Sequence, residues 1–344
     1  MNVPKISIAI PTFNRANYLR QAIDSILAQT FTDFELIISD NGSTDGTEEI
    51  CREYAAKDSR IRYFREEKNR GAAWNHSRVV ELARGEYFKW QCDDDFCAPE
   101  MVEKCIAELE RDPHLVVVYP QFVRINADGT NVGIHSSQVQ GRMAPHQRFR
   151  SLIHRRDSCE EIYGVMRTAA VRQTQLIGPY TGSDNPFLAE MLLRGQFGEI
   201  PEPLFYYRLH KGQSTSIYSD RLQRMQWFDP GRRGHLLLPS FVLFRAYLSA
   251  IYRSPLSWLE KLRCYSSMLL WTWKFRFWLY DDLASVFYLG LIPFLKHHMG
   301  WTRPIWHRIN PVLLWTSDQI AKVYRPKRPF RPERPIGWDG QAKS

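Results

Sequence analysis

The sequence predicts an α/β protein whose mostly parallel sheet is flanked by helices. Short apolar, β-branched runs recur over residues 5–119, single helical patterns separate them, and the connections are short. Strands of a parallel sheet are covered by helices on both faces, so they are apolar throughout rather than alternating. In such sheets ligands bind in a crevice at the carboxyl ends of the strands. We therefore expect the functional residues at that edge.

The strands and helices of the first part of the chain follow in regular order. Five strands are predicted, at Lys5–Pro11, Phe34–Ser39, Ile61–Arg65, Glu86–Gln91 and Leu115–Tyr119. Helical periodicity covers Tyr18–Gln29, Ala72–Ala83 and Pro99–Arg111. A Ser/Thr cap followed by a Glu pair near Thr47 indicates the start of one more helix. Each strand is thus followed by one helix, as a parallel sheet requires.

Residues 120–216 are less regular. Short strands are expected near Val123 and Val132, and at 197–200 and 204–208. The Arg- and His-rich segment that ends at Arg156 is expected to cover the site on its acceptor side. A helix is predicted over Phe187–Arg194, with Asn185 as its N-cap and Pro186 at its first position.

Charge divides the chain into a catalytic part and a basic, tryptophan-rich part. Residues 231–344 contain 18 Lys and Arg against 6 Asp and Glu, although the whole chain carries only +9, and they hold eight of the eleven tryptophans. We predict a catalytic domain at 1–216, a helical region at 217–324 and a disordered Pro- and Arg-rich tail at 325–344.

The helical region is predicted to lie on an anionic membrane surface. Its apolar runs are 236–244, 264–273, 283–295 and 309–317, and the longest has thirteen residues, short of the ~20 that a spanning helix needs. Tryptophans among Arg and Lys, including Trp301 and Trp306, are typical of helices that lie in the interface plane. The alternative is a helical appendage that packs on the catalytic domain or forms a homodimer.

The same sequence indicates the compartment. The first residues lead straight into a strand without an apolar leader, and the six cysteines show no CxxC pair. We expect a cytoplasmic protein with reduced thiols, placed peripherally on the inner face of the plasma membrane. The basic tail lacks a nucleic-acid recognition module, so no nucleic-acid partner is expected.

Three consecutive carboxylates, Asp93, Asp94 and Asp95, follow the fourth predicted strand. Adjacent acids repel one another by roughly 1 kcal/mol per pair at ~4 Å, even in water. Such a cluster is either a solvated turn or a site for a hard divalent cation such as Mg²⁺ or Mn²⁺, which prefer oxygen ligands. Because the cluster lies at the binding edge of the sheet, a metal site is the sharper hypothesis.

The ordered motifs resemble those of family 2 glycosyltransferases. They are Ile8–Arg15 (IAIPTFNR), Ile38–Thr47 (ISDNGSTDGT), Asn69–Gly71 (NRG) and Gly85–Tyr87 (GEY) ahead of the aspartates, and the resemblance covers roughly residues 4–216. It implies the GT-A fold and an inverting, metal-dependent enzyme that uses nucleotide-diphosphate sugars.

The resemblance also assigns roles to residues. It implies Asp184 as the catalytic base and Asp94, Asp95 and His210 as metal ligands. It implies a nucleotide-binding set consisting of Pro11, Thr12, Asn14, Asp40, Asn41, Arg70, Gly71 and Asp93. The family usually has D-x-D or x-D-D in this motif, whereas here Cys92 and Asp93 occupy the first positions. Which two of the three aspartates act therefore stays open.

The resemblance implies transfer of a sugar from a UDP- or similar donor to a glycan or lipid-linked acceptor in envelope polysaccharide assembly. A scaffold of the same fold that binds nucleotide sugar without turnover is the alternative. Nucleotidyl transfer is disfavoured, because Pro11–Arg15 has no glycine for a phosphate loop. The segment Gln223–Trp227 resembles the Q-x-x-R-W motif of processive synthases, but Gln226 replaces its Arg, so we expect one sugar to be added at a time.

Overall fold

The computed structural model describes residues 3–136, 143–155, 159–218, 221–231 and 238–286. Its strands are β1 (Ile6–Thr12), β2 (Phe34–Asp40), β3 (Ile61–Arg65), β4 (Tyr87–Trp90), β5 (Phe96–Cys97), β6 (Leu115–Asn126), β7 (Asn131–His135), β8 (Val165–Arg167) and β9 (Gln196–Leu209). Its helices are α1 (Ala16–Leu27), α2 (Thr47–Lys57), α3 (Ala72–Leu82), α4 (Met101–Arg111), α5 (Pro145–His154), α6 (Thr168–Arg172), α7 (Asp184–Arg194), α8 (Ser214–Ile217), α9 (Arg221–Phe228), α10 (Pro239–Arg253), α11 (Trp258–Lys274) and α12 (Arg276–Val286).

One sheet contains all these strands, in the order β3-β2-β1-β4-β8-β6-β9-β5, with β7 on β6. The neighbours β3, β2, β1 and β4 are parallel, as predicted, and so are β6 and β9. The short strand β8 is antiparallel to both β4 and β6, and β5 is antiparallel to β9. The α/β prediction is confirmed, and the sheet becomes mixed beyond β4.

The core forms where apolar strands meet apolar helix faces. Every residue of β2 is buried, and in β1 only Pro11 is partly exposed. Helix α1 buries one face, through Leu19, Ala22, Ile23 and Ile26, whose spacing places them on one side of a helix. Each such aliphatic side chain contributes about 1.5–3 kcal/mol when fully buried. This packing fixes the edge at which β1, β2 and β4 end.

Two predicted elements differ from those observed. The two strands expected at 197–200 and 204–208 are one strand, β9, because its pairing with β6 shifts register next to Pro201 and Pro203 instead of ending there. The N-cap prediction for Asn185 is wrong. Helix α7 begins at Asp184, with Ser183 in the capping position and no side-chain capping hydrogen bond.

The chain forms two compact units. The first comprises Met1–Gly234 and Val242–Trp271, and the second His235–Phe241 and the chain from Thr272 onward. Within the described ranges, the helices are all too short or too polar to cross a bilayer. The apolar run at 309–317, Trp301, Trp306 and the tail at 325–344 lie outside the described residues, and the domain boundaries predicted from charge stay a prediction.

Candidate functional site

The ends of β1 and β2 are held together at the binding edge. Thr12 and Asp40 are register partners, and the Asn41 amide donates a hydrogen bond to the Thr12 carbonyl at 3.0 Å. Both side chains are buried, and Pro11 directly precedes Thr12 on β1. Asn14 follows with a φ of +54°, and its side-chain oxygen accepts from the Thr44 amide at 2.8 Å. Five predicted nucleotide-binding residues are thereby brought together.

The Asp40 carboxylate is already engaged by the protein. Its Oδ1 accepts from the Ser43 amide at 2.8 Å, and its Oδ2 accepts from the Tyr63 hydroxyl at 2.9 Å. Asp40 also lies 3.6 Å from the Arg65 guanidinium. A carboxylate oxygen can accept a second hydrogen bond, so these contacts orient Asp40 without exhausting it.

Asn41 ties the end of β2 to the turn before α3. Its Oδ1 accepts from the Arg70 amide at 3.0 Å, and its Nδ2 donates to Asn69 Oδ1 at 2.9 Å and to the Gly71 carbonyl at 3.1 Å. The Arg70 guanidinium lies over the Trp74 ring, 4.0 Å from its centroid. Arg70 also lines an open cavity of about 580 Å³, with residues 65–68. The predicted Asn69–Gly71 turn thus belongs to the same edge.

Gly71 cannot carry a side chain in this turn. Its φ of +94° and ψ of 156° belong to a region that is essentially restricted to glycine. A Cβ atom there would lie 2.4 Å from the carbonyl oxygen of Phe228, at the end of α9. Glycine is therefore required here because the backbone of residue 71 lies close to the end of α9.

Asp93 is the member of the acidic triplet that faces β1. Its Oδ1 lies 3.4 Å from the Arg15 guanidinium, and both side chains are largely buried. Burial and the charge of Asp94 raise the pKa of Asp93 to about 7, although Arg15 acts in the opposite direction. Arg15 thus offers positive charge at the carboxyl end of β1.

Asp95 is the most deeply buried of the three, with 1% of its surface exposed. Its Oδ1 accepts from the Arg208 amide at 2.8 Å, while its Oδ2 has no hydrogen-bond partner among the described residues. Burial, and then repulsion by Asp94, raise the pKa of Asp95 well above its usual range. A buried carboxylate oxygen without a partner is costly unless a cation or proton satisfies it.

Asp94 is held by residues of β9 and the turn that follows it. His210 Nε2 lies 2.9 Å from Asp94 Oδ2, and the Tyr18 ring packs edge-on against the imidazole. Buried Arg208 donates from Nε to the Asp94 carbonyl at 3.1 Å. Strand β9 therefore brings His210 to the triplet, as the resemblance implied.

The metal-ligand atoms of this cluster fit a divalent ion. Cys92, Asp94 and Asp95 each offer a ligand atom, and these atoms lie within 4.8 Å of one another. His210 adds a nitrogen beside Asp94, and the unpartnered Oδ2 of Asp95 supplies an oxygen without a competing donor. The carboxylates and imidazole suit Mg²⁺ or Mn²⁺, so the fold provides an Asp-rich candidate metal site.

Asp184 lies in the first turn of α7. The Cys159 thiol is 3.9 Å from Asp184 Oδ2, and burial raises the pKa of Asp184 to about 6. Three residues later Phe187 packs edge-on against Trp90, the last residue of β4, with ring centroids 5.2 Å apart. This packing anchors the start of α7 to the strand that delivers the triplet.

Several site residues were not predicted from the sequence. Arg15 lies inside the Ile8–Arg15 motif and Arg208 ends a predicted strand, yet a single sequence does not reveal that they contact Asp93 and Asp94. Cys159 had no local signal, because its contact with Asp184 spans 25 residues.

This fold is similar to that of glycosyltransferases. Residues 7–173 match the model of Glycosyl transferase family 2. The GT-A architecture agrees with solved structures of S. aureus TarS. TarS 1-349 matches with a TM-score of 0.58 and 17% identity over 79% of this chain and 72% of that chain. Its complex with UDP-GlcNAc matches with a TM-score of 0.56 over 86% of this chain and 76% of that chain.

Curated relatives are polysaccharide synthases and other glycosyltransferases. The chain is 29% identical to a chondroitin synthase of Escherichia coli over 270 residues, which is 77% of this chain and 36% of that protein. It is 37% identical to the hyaluronan synthase of Pasteurella multocida over 128 residues, or 37% of this chain and 13% of that protein. The chain thus spans about a third or less of these synthases.

Proposed function

We propose that this chain is an inverting glycosyltransferase of the hexosyltransferase type, with a UDP-sugar as donor. The observation that carries the proposal is the presence of two acidic stations on different elements, the Asp93–Asp95 triplet with His210 beside it and the single carboxylate of Asp184 on α7. Inversion in one step needs such a pair, because the leaving diphosphate and the attacking hydroxyl lie on opposite faces of the anomeric carbon. The other residues act around these two stations.

Each station has its own task. A divalent cation held by Asp94, Asp95 and His210 would neutralise the charge that develops on the leaving diphosphate. Asp184 accepts the proton of the acceptor hydroxyl as it attacks, and its pKa of about 6 keeps it ionised at neutral pH yet basic enough to take a proton. Arg15 adds positive charge beside Asp93.

Donor recognition belongs to the ends of β1 and β2. Asp40 and Asn41 can hydrogen-bond the edge of a base, with Pro11, Thr12 and Asn14 beside them. Arg70 can contribute charge to the phosphates. The UDP and UDP-GlcNAc complexes of TarS support a uridine donor by analogy of fold.

The acceptor is proposed to be a glycan or lipid-linked glycan of envelope polysaccharide assembly, met at the inner face of the plasma membrane. Helix α11 supports the membrane contact, because one of its faces is apolar and 45–74% exposed. That face consists of Trp258, Leu259, Leu262, Leu269 and Leu270, with Lys261 and Arg263 at its borders. The opposite face is buried, through Cys264, Ser267, Met268 and Trp271.

Vesicle sedimentation tests the membrane contact. We expect the full chain to sediment with phosphatidylserine-containing vesicles, and Leu262→Glu with Leu269→Glu to abolish this. Ile134→Glu is the matched control, because Ile134 is an exposed apolar residue of β7. Equal binding by both variants would refute the α11 surface. Concentration-dependent dimers that the double variant loses would instead assign the face to a second copy.

Binding and turnover test the activity itself. Calorimetric titration with UDP and with GDP, each with Mn²⁺ and then with EDTA, is expected to show metal-dependent binding of UDP that Asp94→Ala abolishes. Release of UDP from UDP-sugars in the presence of acceptor then measures turnover. Binding without any turnover over a panel of donors and acceptors would support the alternative, a scaffold that holds nucleotide sugar. Absence of nucleotide binding would refute both.

A further inference from the structure

Cys92 distinguishes this site from one made of oxygen ligands alone. It precedes the aspartate triplet, and its thiol, together with the carboxylates of Asp94 and Asp95, forms the group whose ligand atoms lie within 4.8 Å of one another. We propose that these three residues form a mixed sulfur–oxygen site that binds thiophilic divalent ions such as Zn²⁺ and Cd²⁺. Such ions would compete with the hard cation of the donor site, since both use Asp94 and Asp95.

The spacing suits one small ion. Zn²⁺ binds sulfur at about 2.3 Å and carboxylate oxygen at about 2.0–2.2 Å, so tetrahedral ligand atoms lie about 3.6 Å apart. The ligand atoms are up to 4.8 Å apart in the structure, and small side-chain rotations would shorten these distances to about 3.6 Å. Cys92 and Asp94 are partly exposed, which leaves the ion a path from solvent. The thiol releases its proton to solvent as sulfur binds the ion.

Asp95 provides an independent reason to expect a cation here. Its side chain is 1% exposed, and its Oδ2 has no hydrogen-bond partner in the described part of the chain. The other oxygen is already committed to the Arg208 amide at 2.8 Å. A buried oxygen in this state needs a proton or a cation, and the neighbouring sulfur favours thiophilic cations.

Sulfur changes the selectivity of the site in a predictable direction. Thiolate ligands favour Zn²⁺ and other soft ions, whereas Mg²⁺ gains little from sulfur and prefers carboxylates, carbonyls and water. A site with oxygen and imidazole ligands alone would bind Mg²⁺ or Mn²⁺ without involving Cys92. The inference therefore concerns Cys92 itself, and it requires neither a nucleotide nor a sugar.

Titration of the metal-free full chain with Cd²⁺ tests the proposal, because sulfur–Cd²⁺ bonds absorb in the ultraviolet. We expect one equivalent of Cd²⁺ to produce this absorption and Zn²⁺ to displace it. Cys92→Ser should abolish the absorption, and Asp94→Asn should weaken Cd²⁺ binding at least about tenfold. Cys159→Ala is the matched control, because it removes another partly exposed thiol that lies beside a carboxylate, Asp184. This control should retain the absorption.

The outcomes separate cleanly. Absorption that persists in Cys92→Ser, or that disappears in Cys159→Ala, would overturn the proposal, as would absence of any sulfur absorption in the unmodified chain. If the Cys92 variants fail to fold, protection of Cys92 from alkylation by Cd²⁺, read by mass spectrometry of the unmodified chain, replaces them. Lack of protection then refutes the site. UDP binding is measured separately, so failure of the proposed function leaves this result intact.

Discussion

His210 Nε2 lies 2.9 Å from Asp94 Oδ2, although 116 residues separate them in the chain. The contact exists because β9 carries His210 to the turn that follows β4, and because Arg208, two residues earlier, anchors the same turn through the Asp94 carbonyl. The pair combines an imidazole nitrogen with a carboxylate at one point of the sheet edge. It is therefore the centre of the proposed metal site.

Loss of either partner is expected to weaken metal-dependent donor binding. Asp94→Asn removes a charged ligand, and His210→Ala removes the group that orients it, so each should raise the Kd for UDP with Mn²⁺ at least about tenfold. Calorimetry measures this change. Glu81→Gln is the control, since this carboxylate is 67% exposed on α3. An unchanged Kd in both site variants would exclude the pair from metal binding.

Asp184→Asn is expected to abolish catalysis without affecting the donor. Removal of a general base costs about 10²–10⁴-fold in kcat, while the Kd for UDP should stay the same because the proposed base acts on the acceptor hydroxyl. Steady-state kinetics and calorimetry separate the two effects. A variant that keeps its kcat would remove Asp184 from the mechanism.

The pH dependence of kcat/KM provides a second test of the role of Asp184. Burial raises the pKa of Asp184 to about 6, so kcat/KM should rise with pH through about 6 as the carboxyl loses its proton. The Cys159 thiol lowers this pKa, so Cys159→Ala should move the acidic limb to higher pH. A profile that is flat between pH 5 and 7 would contradict this role.

Gly71→Ala should destabilise the protein more than Gly129→Ala does. Both glycines have positive φ, +94° and +89°, so alanine is strained at either position by roughly 1–3 kcal/mol. Only at Gly71 does the added Cβ meet another atom, the Phe228 carbonyl oxygen at 2.4 Å, whereas at Gly129 it meets nothing within 4 Å. The clash adds roughly 1–3 kcal/mol to the loss of unfolding free energy. Urea unfolding of the two variants measures the difference in unfolding free energy. Equal losses would show that α9 moves away from the added Cβ without measurable cost.

Arg208→Lys should be strongly destabilising despite its conserved charge. The buried guanidinium donates to the Asp94 carbonyl, the Ala127 carbonyl and Gln21 Oε1, and an ammonium cannot reproduce that planar geometry. Acceptors left without donors cost about 1–3 kcal/mol each, so we expect a loss of about 2–4 kcal/mol in unfolding free energy. Arg20→Lys, at a solvent-exposed ion pair with Glu53, should cost clearly less. Equal effects in chemical denaturation would argue against a special role for Arg208.

The local sequence pattern was sufficient to predict much of the fold. The apolar runs that became β1 and β2 lie within a residue of their predicted bounds, because strands buried on both faces have a continuous apolar signature. Strand β3, which is mostly half-buried, also has its predicted bounds. Elements without such a signature were missed. Strand β8 has three residues, too few for periodicity, yet it determines the antiparallel link between β4 and β6.

By itself the sequence determined the α/β class, the sheet edge at which Thr12, Asp40 and the triplet lie, and the ordered motifs of the family. Only the tertiary structure decided which atoms meet there: Arg15 with Asp93, His210 and Arg208 with Asp94, and Cys159 with Asp184. The physical reason is that strand and helix patterns depend on neighbours a few residues away. Contacts across 25 or 116 residues depend instead on how the whole sheet packs.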